Sequence, residues 1–323
     1  MPIKIPENLP AYKILEEEGV LMIKDSDAIR QDIRPLKIAL LNLMPEKIRT
    51  ETQIARVLGN TPLQVELSLI SPSSYIPKNT SADHMLDFYK PWREVFEKKF
   101  DGLLITGAPV EKLEFEEVNY WDDLCAVFDW STSNVHGLFN LCWAAQAALY
   151  HFYHIKKILL KSKCFGVFNH TVTDHSSMLT KGLNDIIPIP TSRFATTRKK
   201  DIVCFPNLEV LIESEEAGVC LVHDRKLHHV HMFNHLEYDT DTLKTEYQRD
   251  LKTQNKAEFP RYYFQNNNPK IISANTWRSS AHLLFGNWLN YIYQTTPYKL
   301  ERIGELKSSD PNRPRIRPGN RVG

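Results

Sequence analysis

Apolar runs alternate with helix-spaced stretches through the first half of the chain. Residues 36–43 (LKIALLNL) are almost wholly apolar, as expected of a strand buried on both faces of a parallel sheet. Pro45 then opens a helical stretch to Leu58, and Gly59 suits the position just past its end. Residues 63–70 (LQVELSLI) alternate and predict the next strand. A polar loop leads to a helix near 92–99, and residues 100–106 (FDGLLIT) predict a third strand that ends in Gly107-Ala108-Pro109. Helical spacing returns over 121–130. Residues 137–141 (GLFNL) then predict a buried strand, running through Cys142 into a small-residue helix over 143–149. Strands alternating with helices imply an α/β fold with a doubly wound, mostly parallel sheet, whose ligands bind at the carboxyl ends of the strands.

Beyond Tyr153 the pattern is less regular. Residues 208–212, 218–222 and 228–234 predict successive strands, partly antiparallel. Asp239, Thr240 and Asp241 offer N-caps for a helix reaching about Leu251, with Leu243, Tyr247 and Leu251 as its apolar side. Residues 252–270 are polar and read as a long ordered loop. A final helix covers 277–294, with Leu284, Trp288, Tyr291 and Ile292 at core-facing spacing. The chain thus divides into an irregular segment 1–35, rich in proline, one α/β domain over 36–306, and a basic tail 307–323 expected to be disordered.

Composition excludes more than it selects. With 42% hydrophobic and 24% charged residues the chain is ordinary for a globular protein. A formal net charge of +1 supplies no field to attract nucleic acid or an anionic membrane, so neither is expected as a partner. No apolar stretch approaches the roughly 20 residues needed to cross a bilayer, and the N-terminus lacks the apolar core of a signal peptide. Five cysteines (125, 142, 164, 204, 220) have no metal-ligand spacing and leave one unpaired in any disulfide scheme. A reducing cytoplasm is the expected location.

One cysteine stands apart. Cys142 sits where the buried strand turns into the small-residue helix, the position of a nucleophile elbow. A helix N-terminus there stabilises negative charge and offers backbone N–H groups to an oxyanion. Downstream, His235 and Glu237 supply a base and a carboxylate to orient it. Together the three residue types suggest acyl transfer through a thioester. Most cysteines are simply small buried apolar residues, and that reading is kept for Cys125 in its helical pattern and for Cys204 and Cys220 in strand-like segments. The turn at Gly107-Ala108-Pro109 could pair a backbone N–H of Ala108 with that of Trp143 in an oxyanion hole, or be only a βα turn. The histidines at 223, 228, 229, 231 and 235 raise a metal site. With no cysteine and no regular carboxylate spacing beside them, no metal is expected. Nothing local singles out Lys163 or Arg249, and Arg249, off the apolar line of its helix, reads as a solvated charge.

In the order FDGLLITGAP, LCWAAQAAL and HLEYD, these motifs resemble the homoserine O-acyltransferases of the MetA type. The likeness runs from Asn42-Leu43-Met44-Pro45 to the WRSSAHLLFGNWLNYIYQTTPY segment at Trp277. It implies the flavodoxin-like fold of class I glutamine amidotransferases, to which Gln146 and the His-x-Glu pair also point. It implies that Cys142 forms the acyl-thioester, that His235 is the general base and that Glu237 completes the triad. Lys163, Ser192 and Arg249 are implied to contact substrate, Arg249 by holding a carboxylate with two parallel hydrogen bonds. The family divides by acyl donor at a residue near the GAP turn, Gly going with succinyl-CoA and Glu with acetyl-CoA. The chain has Glu111 there, where a carboxylate would fill space and repel a succinyl group. Ser192 is the second residue tied to specificity. The expectation is a homodimeric homoserine O-acetyltransferase of methionine biosynthesis, with L-homoserine and acetyl-CoA as substrates and no bound cofactor. Its rivals are the succinyl-CoA enzyme, a glutaminase subunit using the same triad, and a non-enzymatic fold relative.

Overall fold

The computed structural model describes residues 3–18, 34–73, 80–253, 257–271 and 273–303. The tail 307–323, expected to be disordered, lies outside the described residues, as do 19–33. The described residues are built around an 11-stranded sheet. Its parallel half comprises β1 (Ile3–Lys4), β2 (Leu36–Leu41), β3 (Val65–Ser71), β4 (Tyr89–Pro91), β5 (Phe100–Ile105) and β6 (Val135–Leu141). The other half comprises β7 (Ile158–Val172), β8 (Ile186–Thr196), β9 (Leu208–Ser214), β10 (Gly218–Asp224) and β11 (His229–Met232). Strand order is β1-β3-β2-β5-β6-β11-β10-β9-β7-β8, with β4 beside β3. β11 joins the halves, parallel to β6 and antiparallel to β10.

Helices cover both faces, which explains the near-continuous apolar strands. Leu36, Ile38 and Leu40 of β2 share a core with Ile54 and Leu58 of α2 (Lys47–Gly59). The same core includes Leu284, Trp288 and Ile292 of α8 (Arg278–Thr295). Ala39 and Leu41 face the other way, toward Leu124 and Phe128 of α4 (Trp121–Asn134) and Trp143 of α5 (Trp143–Tyr153). The period-two alternation of β2 therefore supplies two cores at once.

Several sequence expectations change. The N-terminal segment is not irregular where described: Ile3 and Lys4 pair with β3, and Pro10 opens α1 (Pro10–Glu17), which buries Ala11 and Leu15. Proline there starts a helix, because its missing N–H would be unpaired anyway. The polar loop before residue 92 contains α3 (Ala82–Phe88), capped by Ser81, and the expected helix near 92–99 is only a 3₁₀ turn, Trp92–Val95. After Tyr153 comes a long hairpin, β7 with β8. Cys204 lies in a turn after α6 (Lys199–Ile202), not in a strand. In α7 (Thr242–Thr253) Leu243 is buried but Leu251 is 53% exposed, and Asp250 takes the inward position. Seven residues after Leu243 is nearly two full turns, whereas eight overshoots by most of a quarter-turn.

Candidate active site

Seven consecutive buried residues of β6 deliver Cys142 to the sheet's carboxyl end. Its backbone has φ 51° and ψ −115°, a conformation that costs a non-glycine residue and persists only where its surroundings enforce it. Here the Cys142 N–H donates to Met232 O at 2.6 Å, and the Cys142 carbonyl accepts the Ala145 N–H at 3.1 Å. Ala144, Ala145, Ala147 and Ala148 are all buried, so α5 can press against the sheet. Gly107 closes the opposite wall. A Cβ at that position would stand 3.1 Å from Cys142 Cβ and 3.7 Å from its Sγ, closer than a side chain could be accommodated without movement. Ala108 is buried in the same turn.

The partner histidine arrives from the neighbouring strand. β11 runs in register with β6, Met232 opposite Leu141, so the chain leaving β11 emerges beside the elbow. The His235 N–H donates to Pro190 O at 2.8 Å, and Asn234 is held by the buried guanidinium of Arg193. His235 Nδ1 lies 2.6 Å from Glu237 Oε1, and both side chains are buried. The imidazole is also hydrogen-bonded to the Cys142 side chain. With Nδ1 committed to Glu237, the remaining nitrogen serves the sulfur. Burial alone would lower the His235 pKa. The Glu237 and Cys142 charges and hydrogen bonds outweigh it and hold the imidazole well above its ordinary value. Cys142, His235 and Glu237 thus meet in one line.

Tyr238 connects this line to a second group of charges. Its ring stacks on His235 at 4.2 Å between centroids, and its hydroxyl donates to Glu246 Oε1 at 2.8 Å. Glu246 Oε2 accepts from Ser192 Oγ at 2.5 Å and from Lys163 Nζ at 3.3 Å. Lys163 also donates to Asp250 Oδ2 at 3.0 Å, and Arg249 donates to Asp250 Oδ1 through Nε and Nη2. Burial would raise the Asp250 pKa, but Lys163 and Arg249 pull it below the usual carboxylate value. Glu111 belongs here too. Burial raises its pKa, and its carboxyl senses His235, Lys163 and Glu246. All the residues singled out from sequence as catalytic, substrate-contacting or donor-selecting therefore converge.

Sequence reasoning missed Tyr238, Glu246, Asp250 and Arg193. Acidic residues at 246 and 250 share a helical spacing with Leu243 (i+3, i+7), a signal that could have found them although that face was expected to be apolar. A cavity of about 1540 Å³ lies between α2, α8 and the 236–241 segment. Glu237 lines it, but Cys142 does not.

The other histidines sit deeper. Asp224, His229 and His231 bring ligand-type atoms within 4.8 Å of one another. However, the Asp224 carboxylate already accepts from Tyr153, Asn207 and the backbone of Lys226 and Leu227. A metal would have to displace those donors, so the residues fit one poorly. Among the described residues no helix is long and apolar enough to cross a membrane.

Comparison with known proteins shows the family and the fold. The model of the family described as homoserine O-succinyltransferase matches residues 2–298. Proteins named homoserine O-acetyltransferase from Brucella canis and Brucella melitensis biotype 1 are each 54% identical over 306 residues, covering 95% of this chain and 100% of theirs. A glutamine amidotransferase from Thermotoga maritima superposes with a TM-score of 0.55 at 10% identity, over 81% of this chain and 100% of that one. At that identity the likeness concerns the fold alone.

Proposed function

The chain belongs to the homoserine O-succinyltransferase family and is a homoserine O-acyltransferase; on that premise we propose that it transfers acetyl from acetyl-CoA to the γ-hydroxyl of L-homoserine through a thioester on Cys142. The reading rests above all on the hydrogen-bonded Cys142–His235–Glu237 line at a strained elbow. The sulfur of Cys142, as thiolate, attacks the donor carbonyl carbon. The resulting oxyanion is received by the backbone N–H groups of Trp143 and Ala108. The bond to the coenzyme A sulfur breaks, and the departing thiolate takes the proton held by His235. The γ-hydroxyl of homoserine then attacks the thioester while His235 accepts its proton, and the Cys142 sulfur leaves. Glu237 keeps the ring aligned and offsets its positive charge.

Homoserine is a zwitterion, and the second charge group complements it. Asp250 occupies the Nε/Nη2 side of Arg249, leaving the terminal Nη1/Nη2 fork for the substrate carboxylate. Glu246, bonded to Lys163 and Ser192, offers a counter-charge to the ammonium. Glu111, whose carboxyl senses these groups, selects the small acyl donor: a succinyl carboxylate would meet its like charge in a partly buried setting. The succinyl reading is kept by the name of the matching family, the acetyl reading by the names of the relatives. The product is then O-acetyl-L-homoserine, an activated precursor for methionine, made by a cytoplasmic homodimer without a bound cofactor.

Intact-mass measurement with acetyl-CoA and no homoserine is expected to find one added acetyl group, lost in Cys142→Ala. Unlabelled wild-type protein that still forms product would exclude the thioester. Glu111→Gly is expected to raise kcat/KM for succinyl-CoA relative to acetyl-CoA at least about tenfold, a difference of roughly 1.4 kcal/mol. An unchanged ratio would remove Glu111 from donor choice.

A further inference from the structure

Lys112 is an exposed cation five residues after Gly107, which packs against Cys142. It follows Glu111, which is less exposed and whose carboxyl senses the charges of His235 and Lys163. Its Nζ lies 4.3 Å from the centroid of the Phe194 ring, and the Nζ of Lys163 lies 5.9 Å from the same centroid. Phe194 is half-buried and stands two residues from Ser192 on β8, on the same strand face. One ring thus links the interior ammonium to the exterior one. The two lysines differ in their partners. Lys163 is engaged by Glu246 and Asp250, whereas no carboxylate among the described residues lies within ion-pair distance of Lys112.

Cys142 is only 4% exposed. A thioester donor must therefore insert its acyl end and leave its large polyanionic end outside, near the rim. We propose that Lys112 is a binding residue for a phosphate of coenzyme A, with the Phe194 ring fixing where its ammonium stands. This rests on the reading that the donor is an acyl-CoA. A cation resting on a ring at an exposed site is held only weakly. It stays available to a dianionic phosphate, a stronger partner than the ring. Glu111 and Lys112, adjacent in sequence, would then face opposite ends of one donor: the acyl group within and the phosphates without.

The test compares two donors at saturating homoserine. Acetyl-CoA carries the phosphates; S-acetyl-N-acetylcysteamine has the same thioester and no phosphate. For Lys112→Gln, kcat/KM with acetyl-CoA is expected to fall roughly fivefold to tenfold, mostly through KM. Lys112→Glu should fall further and Lys112→Arg should recover most of the loss, while the short donor registers none of these changes. Raising ionic strength to about 0.5 M should shrink the difference between wild type and Lys112→Gln. Equal losses with both donors, or none with acetyl-CoA, would overturn the assignment. Wild-type protein that acylates homoserine from none of acetyl-CoA, succinyl-CoA and the short donor would instead overturn the acyl-CoA reading, so the two failures are distinguishable.

Discussion

Two histidines four residues apart face the same cost and answer it oppositely. His231, inside β11, and His235, just beyond its end, are both buried, at 0% and 5% exposure. Burial disfavours an imidazolium in each. For His231 nothing offsets it. The pKa drops to about 3, burial leading and the charge of His223 adding to it. For His235 burial is outweighed by Glu237 and Cys142, and the pKa rises well above the free value. Residue type and depth are therefore poor guides to protonation. A hydrogen-bonded anion decides: Glu237 binds the His235 ring, whereas the Asp224 carboxylate near His231 is committed to other donors.

Removing that anion is expected to have the largest effect. Glu237→Gln leaves the ring's shape but takes away the charge that holds its proton. Turnover should fall about 10²- to 10⁴-fold. The His235 titration, followed by NMR of its ring proton, should move to lower pH. An unchanged titration would mean that Glu237 does not govern the imidazole.

Acid stability sharpens the contrast next. His170 and His223 have pKa values lowered by burial to about 4, and His231 to about 3. An unfolded chain binds these protons near pH 6.5, before the folded one does. Stability should thus fall as pH drops from about 6.5 toward 4, by about 1.4 kcal/mol per pH unit for each such histidine. His235 has the opposite sign. Its contribution is present at low pH and is lost as pH rises through its raised folded value. Urea midpoints measured against pH should show a shallower acid slope for His223→Phe, and an identical slope would remove His223 from the account.

The smallest effect is expected from a chelator. Dialysis against EDTA should leave turnover and melting temperature unchanged, because the Asp224 carboxylate beside His229 and His231 is already committed to four donors. A drop in melting temperature restored by zinc would show that the buried cluster holds a metal after all.

Legibility followed the regularity of the chain. Strands β2, β5 and β6 stood out because burial on both faces leaves largely apolar runs, and β3 by its alternation. The hairpin carrying Lys163 and Ser192 did not. β7 shifts register between Leu159 and Cys164, which breaks its alternation. β8 contains Pro188 and Pro190, residues that argue against a strand. It ends the strand order, however, so the missing N–H groups cost no ladder bond. The Pro190 carbonyl even holds the backbone of His235. On α7 the inward face carries Asp250 rather than Leu251, because it lines a polar site instead of a core.

The sequence by itself determined strands β2, β3, β5 and β6, the elbow and the residue types at 142, 235 and 237, since those follow from local periodicity and short motifs. Tertiary structure alone decided that Tyr238 ties His235 to Glu246, that Glu111 senses the charges of the site while Lys112 stays exposed, and that buried histidines differ in charge. Electrostatic energy depends on distance and on water exclusion, and neither is a property of positions along a chain.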